Sequence, residues 1–187
     1  MPIKTKFRSI LQRGKLASAL LGLALIACSP TENKKEDKID MTNFNLAEFF
    51  SGDVSAVGFV QDRSGKIIRT FTADVNGKFT PTGLTGTLDE TFKWSDGEVE
   101  KRTWTLKRTS DTSWVGSADD VVGEAVGTIT EDKLRWSYTL TLNVKNRAIN
   151  FKFDDQMWLS KEGVLVNHAK FSKLGIHLGD VVVSFTK

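Results

Sequence analysis

Two neighbouring stretches of this chain alternate apolar and polar residues with a period of two, which is typical of β-strands that bury one face. In residues 133–144 and 147–159 apolar side chains recur at every second position, except at Asp155. If residues 145–146 form a two-residue turn, Tyr138 faces Phe153 across the resulting hairpin. Both apolar faces then point to the same side, so the predicted register is self-consistent.

Eight further stretches, separated by turn signals rich in Gly, Asn and Asp, are also predicted to be strands. They lie near 54–62, 67–75, 86–94, 98–108, 113–118, 122–130, 164–174 and 176–186. Antiparallel strands with one apolar face must bury that face, and closure into a barrel also removes the unpaired edges. The sequence therefore predicts an all-β, antiparallel up-and-down barrel of about eight to ten strands, like that of lipocalins, with a β-sandwich as the alternative. A short helix is expected near Leu46–Phe50.

The first 27 residues have the layout of an export signal. A basic start precedes the apolar run at 16–27, which is shorter than the roughly 20 residues of a membrane-spanning helix. The run ends in the sequence LIAC at 25–28, which resembles the lipobox of bacterial lipoproteins. We therefore expect cleavage before Cys28 and acylation of its thiol. Because Ser29 follows, rather than an aspartate that resembles an inner-membrane retention signal, we expect an anchor in the outer membrane that faces the periplasm.

The predicted domains are the signal peptide at 1–27, an acylated cysteine and flexible tether at 28–43, and the barrel at 44–187. Five basic residues and no acidic residue lie in the signal, so 26 basic and 23 acidic residues become 21 and 23 in the mature chain. The basic balance of the whole chain therefore gives no support for nucleic-acid binding. Cys28 is the only cysteine, so no intramolecular disulfide can form.

Several polar side chains are in phase with the apolar face of their strands and are predicted to lie inside the barrel. A three-residue turn at 95–97 would place Glu90 across from Arg102, among tryptophans. The candidate ligand-binding residues are Arg69, Glu90, Arg102, Asp155 and Asn167 as interior polar groups, and Trp94, Trp104, Trp136, Tyr138 and Phe153 as the wall. Such a set can bind the polar head of a ligand, such as a carboxylate, or can neutralise itself as a buried ion-pair network.

The sequence has no motif for a nucleophile, a metal or a cofactor. It lacks a serine elbow, a P-loop and a dinucleotide fingerprint, and its His, Cys and carboxylate spacings match no zinc or iron site. His168 is predicted to point outward, and Asp119 and Asp120 are expected in a loop as solvated carboxylates. We therefore expect no metal and no cofactor, and the sequence favours a protein that is not an enzyme.

The chain resembles a family of Gram-negative lipoproteins of unknown function over most of residues 48–187. The stretches that carry the resemblance are GFVQDRSGKIIRTF, LDETFKWSDGEVEKRTWTL, GSADDVVGEAVG, WSYTLTL, DDQMWL and LVNHAKFSKLGIHLGDVVVSF. The resemblance implies a lipocalin-like barrel behind a lipid anchor. Members of that family are often encoded near enzymes similar to cyclopropane-fatty-acid synthases, which implies a role in lipid handling but supplies no catalytic residues.

Three functions are compatible with these features. The first is an outer-membrane-anchored periplasmic lipoprotein that binds a lipid or fatty-acyl molecule inside the barrel. The second is a structural or partner-binding envelope lipoprotein with a filled core and no small-molecule ligand, its protein partners unknown. The third is an enzyme acting on acyl chains, with Asp155 or Glu90 as a buried acid or base. A cavity beside the aromatic residues would favour the first function, and a solid interior the second.

Overall fold

The computed structural model describes residues 39–187, so the predicted signal peptide, Cys28 and most of the predicted tether lie outside the described residues. Within the described range the chain forms one short helix followed by ten strands. The elements are α1 (Leu46–Phe50), β1 (Gly52–Asp62), β2 (Ile67–Phe79), β3 (Thr85–Trp94), β4 (Val99–Arg108), β5 (Ser113–Ser117), β6 (Ala125–Ile129), β7 (Leu134–Val144), β8 (Arg147–Leu159), β9 (Leu165–Lys173) and β10 (Ile176–Thr186).

Each strand pairs in antiparallel fashion with the next along the chain, and β1 also pairs with β10, so the sheet closes into a barrel. Closure of this kind supplies every strand with two hydrogen-bonding neighbours. The predicted all-β, up-and-down barrel is confirmed, at the upper end of the expected number of strands, and the sandwich alternative is wrong.

The β7–β8 hairpin has the register that the apolar alternation predicts. Tyr138 lies opposite Phe153, and Lys145 and Asn146 form the two-residue turn with φ values of 50° and 61°. Positive φ at both central residues gives the turn type whose twist matches that of paired strands. Gly97, with φ of 89°, likewise takes the left-handed position expected in the β3–β4 turn.

The prediction and the structure differ most just before β6. The strand expected at 122–130 is reduced to Ala125–Ile129, and the residues before it form a loop along β7. In this loop Val121 pairs with Leu140, and the N–H of Thr141 donates to the carbonyl of Asp120 at 2.8 Å. Gly123, with φ of 74°, breaks the regular strand geometry here. The loop therefore brings Asp120 to the edge of the barrel interior.

Helix α1 closes one end of the barrel. Asn45 caps the helix, because its side-chain oxygen accepts from the N–H of Glu48 at 3.2 Å. Leu46 and Phe50 turn inward and are buried, and the Phe50 ring packs edge-on against Phe185 with centroids 5.5 Å apart. We call this the closed end.

The main apolar cluster lies beneath α1. Its strand residues include Val54, Val75, Leu88, Leu106, Leu134, Met157 and Leu165. Met41 is fully buried in the same cluster, and its N–H donates to the carbonyl of Glu131 at 2.7 Å. The packed part of the chain therefore reaches back to Met41, before the expected start at Phe44. The described residues 39–187 lie within one compact unit with its own sheet, cap and core, which is what a domain needs to fold on its own.

The other end of the barrel is open, and we call it the mouth. It is surrounded by the β1–β2, β3–β4, β7–β8 and β9–β10 turns and by the loop before β6. In the part of the chain that the structure describes, no helix is long and apolar enough to cross a bilayer.

Candidate functional site

The barrel encloses a cavity of about 740 Å³ that extends from α1 to the mouth. Leu46 and Phe50 form its floor, and Leu142 and Val144 lie among the lining residues at the mouth. Most of the lining side chains are apolar, and the charged ones lie on a few strands and on two of the loops at the mouth. The second hypothesis required a solid interior, and the interior is not solid.

Arg102 is the centre of a charged cluster on the β3–β4 wall. It lies opposite Glu90, as predicted, and its side chain is only 13% exposed. Its Nε and Nη2 donate to the Asp120 carboxylate at 3.0 and 2.8 Å, and Nη2 also donates to Glu100 at 2.9 Å. The Glu90 carboxylate lies 3.8 Å from Nη1. One guanidinium is therefore shared among three carboxylates.

Two tryptophans complete this cluster with their indole N–H groups. Trp104 donates to Glu90 at 3.2 Å, and Trp94 donates to Glu100 at 3.3 Å. Burial raises the pKa of Glu90 to about 7, although the charge of Arg102 acts in the opposite direction. Glu90 can therefore gain or lose a proton near neutral pH.

A second polar cluster lies across the cavity on β7, β8 and β9. Asp155 and Asn167 are 7% and 8% exposed, and the Tyr138 hydroxyl and the Asn167 amide each donate to Asp155 Oδ2 at 3.1 Å. Burial raises the pKa of Asp155 to about 7. Asp155 Oδ1 and Asn167 Oδ1 are buried and have no hydrogen-bond partner among the described residues. An unpaired buried acceptor costs about 1–3 kcal/mol, so this pair calls for an explanation.

All five predicted wall residues line the cavity. The Tyr138 ring stacks on Phe153 with centroids 5.3 Å apart, and Trp104 meets Tyr138 edge-on at 5.6 Å. Phe92 and Phe171 belong to the same wall, although the sequence did not single them out as site residues. The alternation of apolar and polar residues could have revealed both. Phe92 is in phase with Trp94 on the same strand, and Phe171 is in phase with Phe153 on the paired strand. The role of the wall in binding stays a prediction.

Arg69 lies at the mouth rather than deep in the interior. Its Nη2 donates to Asp96 and to Glu98, each at 2.6 Å, and the guanidinium lies 4.0 Å from the centroid of Trp94. The side chain is 26% exposed because Arg69 comes only two residues after the start of β2 at the turn. Arg69 lines the cavity, but two carboxylates already bind it.

Sequence reasoning missed two of the carboxylates that bind Arg102. Glu100 is in phase with Arg102 on β4, so the alternation could have revealed it. Asp120 lies in a loop, as expected, but the expectation that it is simply solvated is wrong because Arg102 binds it with two donors. No periodic signal could have found Asp120, because the loop has no regular phase.

The histidines lie outside the cavity. His168 Nε2 is 2.8 Å from Asp180 Oδ1, and His177 Nε2 is 3.3 Å from Asp180 Oδ2. His168 faces away from the cavity, as predicted, but this contact makes it part of a surface cluster. Within residues 39–187 no group of three His, Cys, Asp or Glu side chains is arranged to hold a metal ion.

These features define a closed, lipocalin-like β-barrel with an amphipathic cavity. The chain belongs to the family described as "Protein of unknown function (DUF3833)", whose model matches residues 22–187. Among solved structures, the S-type phycobiliprotein lyase CPES from Guillardia theta is similar, with a TM-score of 0.58 and 8% identity over 80% of this chain and 93% of the lyase chain. At that identity the likeness shows the fold alone. The curated proteins include no match.

Proposed function

We propose that this protein binds a lipid or fatty-acyl molecule inside the barrel. The observation that carries the proposal is the cavity of about 740 Å³, which lies within the range of about 300–1,000 Å³ typical of small-molecule sites. Its aromatic wall and apolar floor match a hydrocarbon chain, and the buried groups around Asp155 match a polar end. The mouth is the route by which such a molecule enters.

The proposed anchor complements this function. Cys28, acylated after cleavage of residues 1–27, holds the protein at the periplasmic face of the outer membrane. Several acyl chains on one cysteine bind a bilayer far more tightly than a single chain, so the barrel stays close to a lipid source. The resemblance to lipoproteins encoded near enzymes similar to cyclopropane-fatty-acid synthases supports an acyl ligand.

Mass spectrometry of the protein made in Gram-negative bacteria tests both parts of the proposal. Under denaturing conditions, the full chain is expected to begin at Cys28 and to carry acyl chains, which the variant Cys28→Ser lacks. Under native conditions, a soluble barrel of residues 37–187 is expected to retain a lipid-sized mass that organic solvent extracts. A full chain without acyl groups contradicts the anchor, and a barrel that stays empty after incubation with envelope lipids contradicts the ligand.

A matched pair of substitutions shows whether the retained lipid occupies the cavity. Ala169 is buried on the cavity side of β9, so Ala169→Phe is expected to fill part of the cavity and to reduce the bound lipid. Ala148 is exposed on β8, so Ala148→Phe is expected to leave the bound lipid unchanged. If Ala169→Phe does not fold, Leu142→Trp narrows the same cavity nearer to the mouth. Equal lipid retention in the folded cavity variant and the control places the lipid elsewhere.

A further inference from the structure

The unpaired acceptors at Asp155 and Asn167 have a fixed orientation. The Asn167 amide nitrogen donates to Asp155 Oδ2, and turning the amide over would bring its oxygen against that carboxylate. The amide oxygen of Asn167 is therefore held away from Asp155 Oδ2, and both unpaired oxygens belong to residues that line the cavity. When Asp155 is ionised, the wall presents only acceptors at this point, and a ligand that binds here supplies the donors.

The charge of the cavity lining also favours a ligand that donates hydrogen bonds. Among the residues that the structure describes, five carboxylates and two guanidiniums line the cavity. Both guanidiniums are already bound, Arg102 by three carboxylates and Arg69 by Asp96 and Glu98. An anionic head would therefore meet an excess of negative charge and no unpaired cation. The one buried donor without a partner among the described residues, Arg69 Nε, belongs to a guanidinium at the mouth that two carboxylates already neutralise. This arrangement argues against the carboxylate ligand that the two arginines suggested in the sequence.

We infer that the polar end of the ligand is a positively charged hydrogen-bond donor, an alkylammonium group, bound by Asp155 and Asn167. The inference rests on the proposed function, since it assigns the ligand class of the same cavity. An ammonium group supplies several N–H donors, which is what two unpaired acceptors require.

Three probes with the same hydrocarbon chain and different heads test this inference. Calorimetric titration of the barrel of residues 37–187 with dodecylamine, dodecanol and dodecanoate compares cationic, neutral and anionic heads. We expect dodecylamine to bind about tenfold or more tightly than dodecanoate at neutral pH. Asp155→Asn is expected to remove most of this preference, and Asp154→Asn, which changes the adjacent carboxylate outside the cavity lining, is expected to keep it.

The outcomes separate the inference from the function on which it rests. Equal or tighter binding of dodecanoate overturns the cationic head and leaves a lipid-binding barrel. An amine preference that survives in a folded Asp155→Asn variant overturns the assignment to Asp155 and Asn167. Binding of none of the three probes overturns the proposed function together with the inference.

An independent observation concerns the rim of the mouth. The turns β1–β2, β9–β10 and β7–β8 are neighbours around it, because their strands are adjacent in the sheet. Their exposed large apolar residues are Ile67, Ile68, Val144, Leu174 and Ile176. Leu174 is 93% exposed and has φ of 51°, a backbone conformation that Gly or Asn adopts more easily than Leu. An apolar tip in this conformation indicates contact with another surface.

The same three turns are rich in basic residues. Their exposed cations are Arg63, Lys66, Lys145, Arg147 and Lys173. The Asp62 carboxylate, which precedes them, accepts hydrogen bonds from Ser64 and from the N–H of Lys66. We call residues 63–68, 144–147 and 173–176 the basic rim. Apolar side chains beside positive charges are the combination that binds anionic bilayer surfaces.

We propose that the basic rim docks the barrel on an anionic phospholipid surface with the mouth towards the lipid. A ligand could then pass between bilayer and cavity without crossing water. The β3–β4 turn and the loop before β6 lie elsewhere around the mouth and carry Asp96, Glu98, Asp119 and Glu124. Their negative charge restricts the contact to the side of the mouth that the basic rim occupies.

Co-sedimentation with vesicles tests this surface on the same soluble barrel. We expect binding to phosphatidylcholine vesicles that contain phosphatidylglycerol, little binding to phosphatidylcholine alone, and loss of binding at high salt. Leu174→Asn is expected to weaken binding several-fold without harming the fold, because Asn-Gly suits the turn. Leu84→Asn is the control, since Leu84 is an exposed apolar residue at the closed end. Absence of vesicle binding, or an equal effect of the two substitutions, overturns the proposal.

Discussion

Substitution of Arg102 by methionine is expected to lower the free energy of unfolding by about 3–5 kcal/mol. In the folded barrel the Arg102 guanidinium is bound by Asp120 and Glu100 and lies close to Glu90. Methionine keeps much of the volume but leaves the three carboxylates without a positive partner in a partly desolvated site. Urea unfolding of the barrel at neutral pH, followed by tryptophan fluorescence, measures the loss.

The pH dependence of this loss identifies its cause. Without Arg102, the pKa of Glu90, which burial already raises to about 7 in the unaltered barrel, rises further above its value in the unfolded chain. A carboxyl of this kind destabilises the fold increasingly as pH rises from the unfolded pKa to the folded pKa. The part of the loss that comes from Glu90 is therefore expected to grow as pH rises above about 7, the pKa of Glu90 in the unaltered barrel, and to vanish below it.

Arg69→Met is the matched control. Arg69 also pairs with two carboxylates, but Asp96 and Glu98 are exposed at the mouth and regain full hydration when the arginine is removed. The expected loss is below about 1 kcal/mol and depends little on pH. If the two substitutions lowered the free energy of unfolding equally, the interior cluster would depend on its arginine no more than a surface ion pair does.

The hairpins were predictable because their alternation and their turns agree. A one-residue slip would turn every apolar side chain of β7 or β8 to the outside, so the burial pattern and the turn at 145–146 support a single register. Glu90 opposite Arg102 followed from the same argument through the left-handed Gly97. Interior polar residues on regular strands could thus be predicted from the sequence.

Contacts made by loops and by the ends of strands, and the presence of the cavity, could not be predicted from the sequence. Asp120 reaches Arg102 from a loop, and its contribution turns a pair of opposite charges into a cluster with excess negative charge. Arg69 is in phase with interior residues but lies so near the turn that it reaches the carboxylates at the mouth. The existence and size of the cavity depend on how far side chains from opposite walls extend into the barrel. The alternation of apolar and polar residues does not predict that distance.

Substitution of Gly77 by alanine is expected to destabilise the barrel by about 3 kcal/mol, because it separates α1 from the closed end. A Cβ at Gly77 would lie 1.7 Å from the carbonyl oxygen of Phe50 and 2.7 Å from its carbonyl carbon. Backbone atoms cannot rotate away as a flexible side chain can, so the end of α1 must move. That movement exposes Phe50 and the apolar cluster beneath it, which α1 otherwise covers.

Urea unfolding measures this loss, and hydrogen exchange of the amides at 45–51 shows whether α1 is the element that opens. Gly116→Ala is the control, because its Cβ would lie 3.0 Å from Leu106 Cδ2, the end of a side chain that can shift. We expect its effect to be below about 1 kcal/mol, with unchanged exchange at α1. Equal losses in the two variants, or no faster exchange at 45–51 in Gly77→Ala, would contradict a closed end held by contact between backbones. If the contact does hold α1 in place, the cavity has a fixed floor, and a ligand can enter and leave only through the mouth.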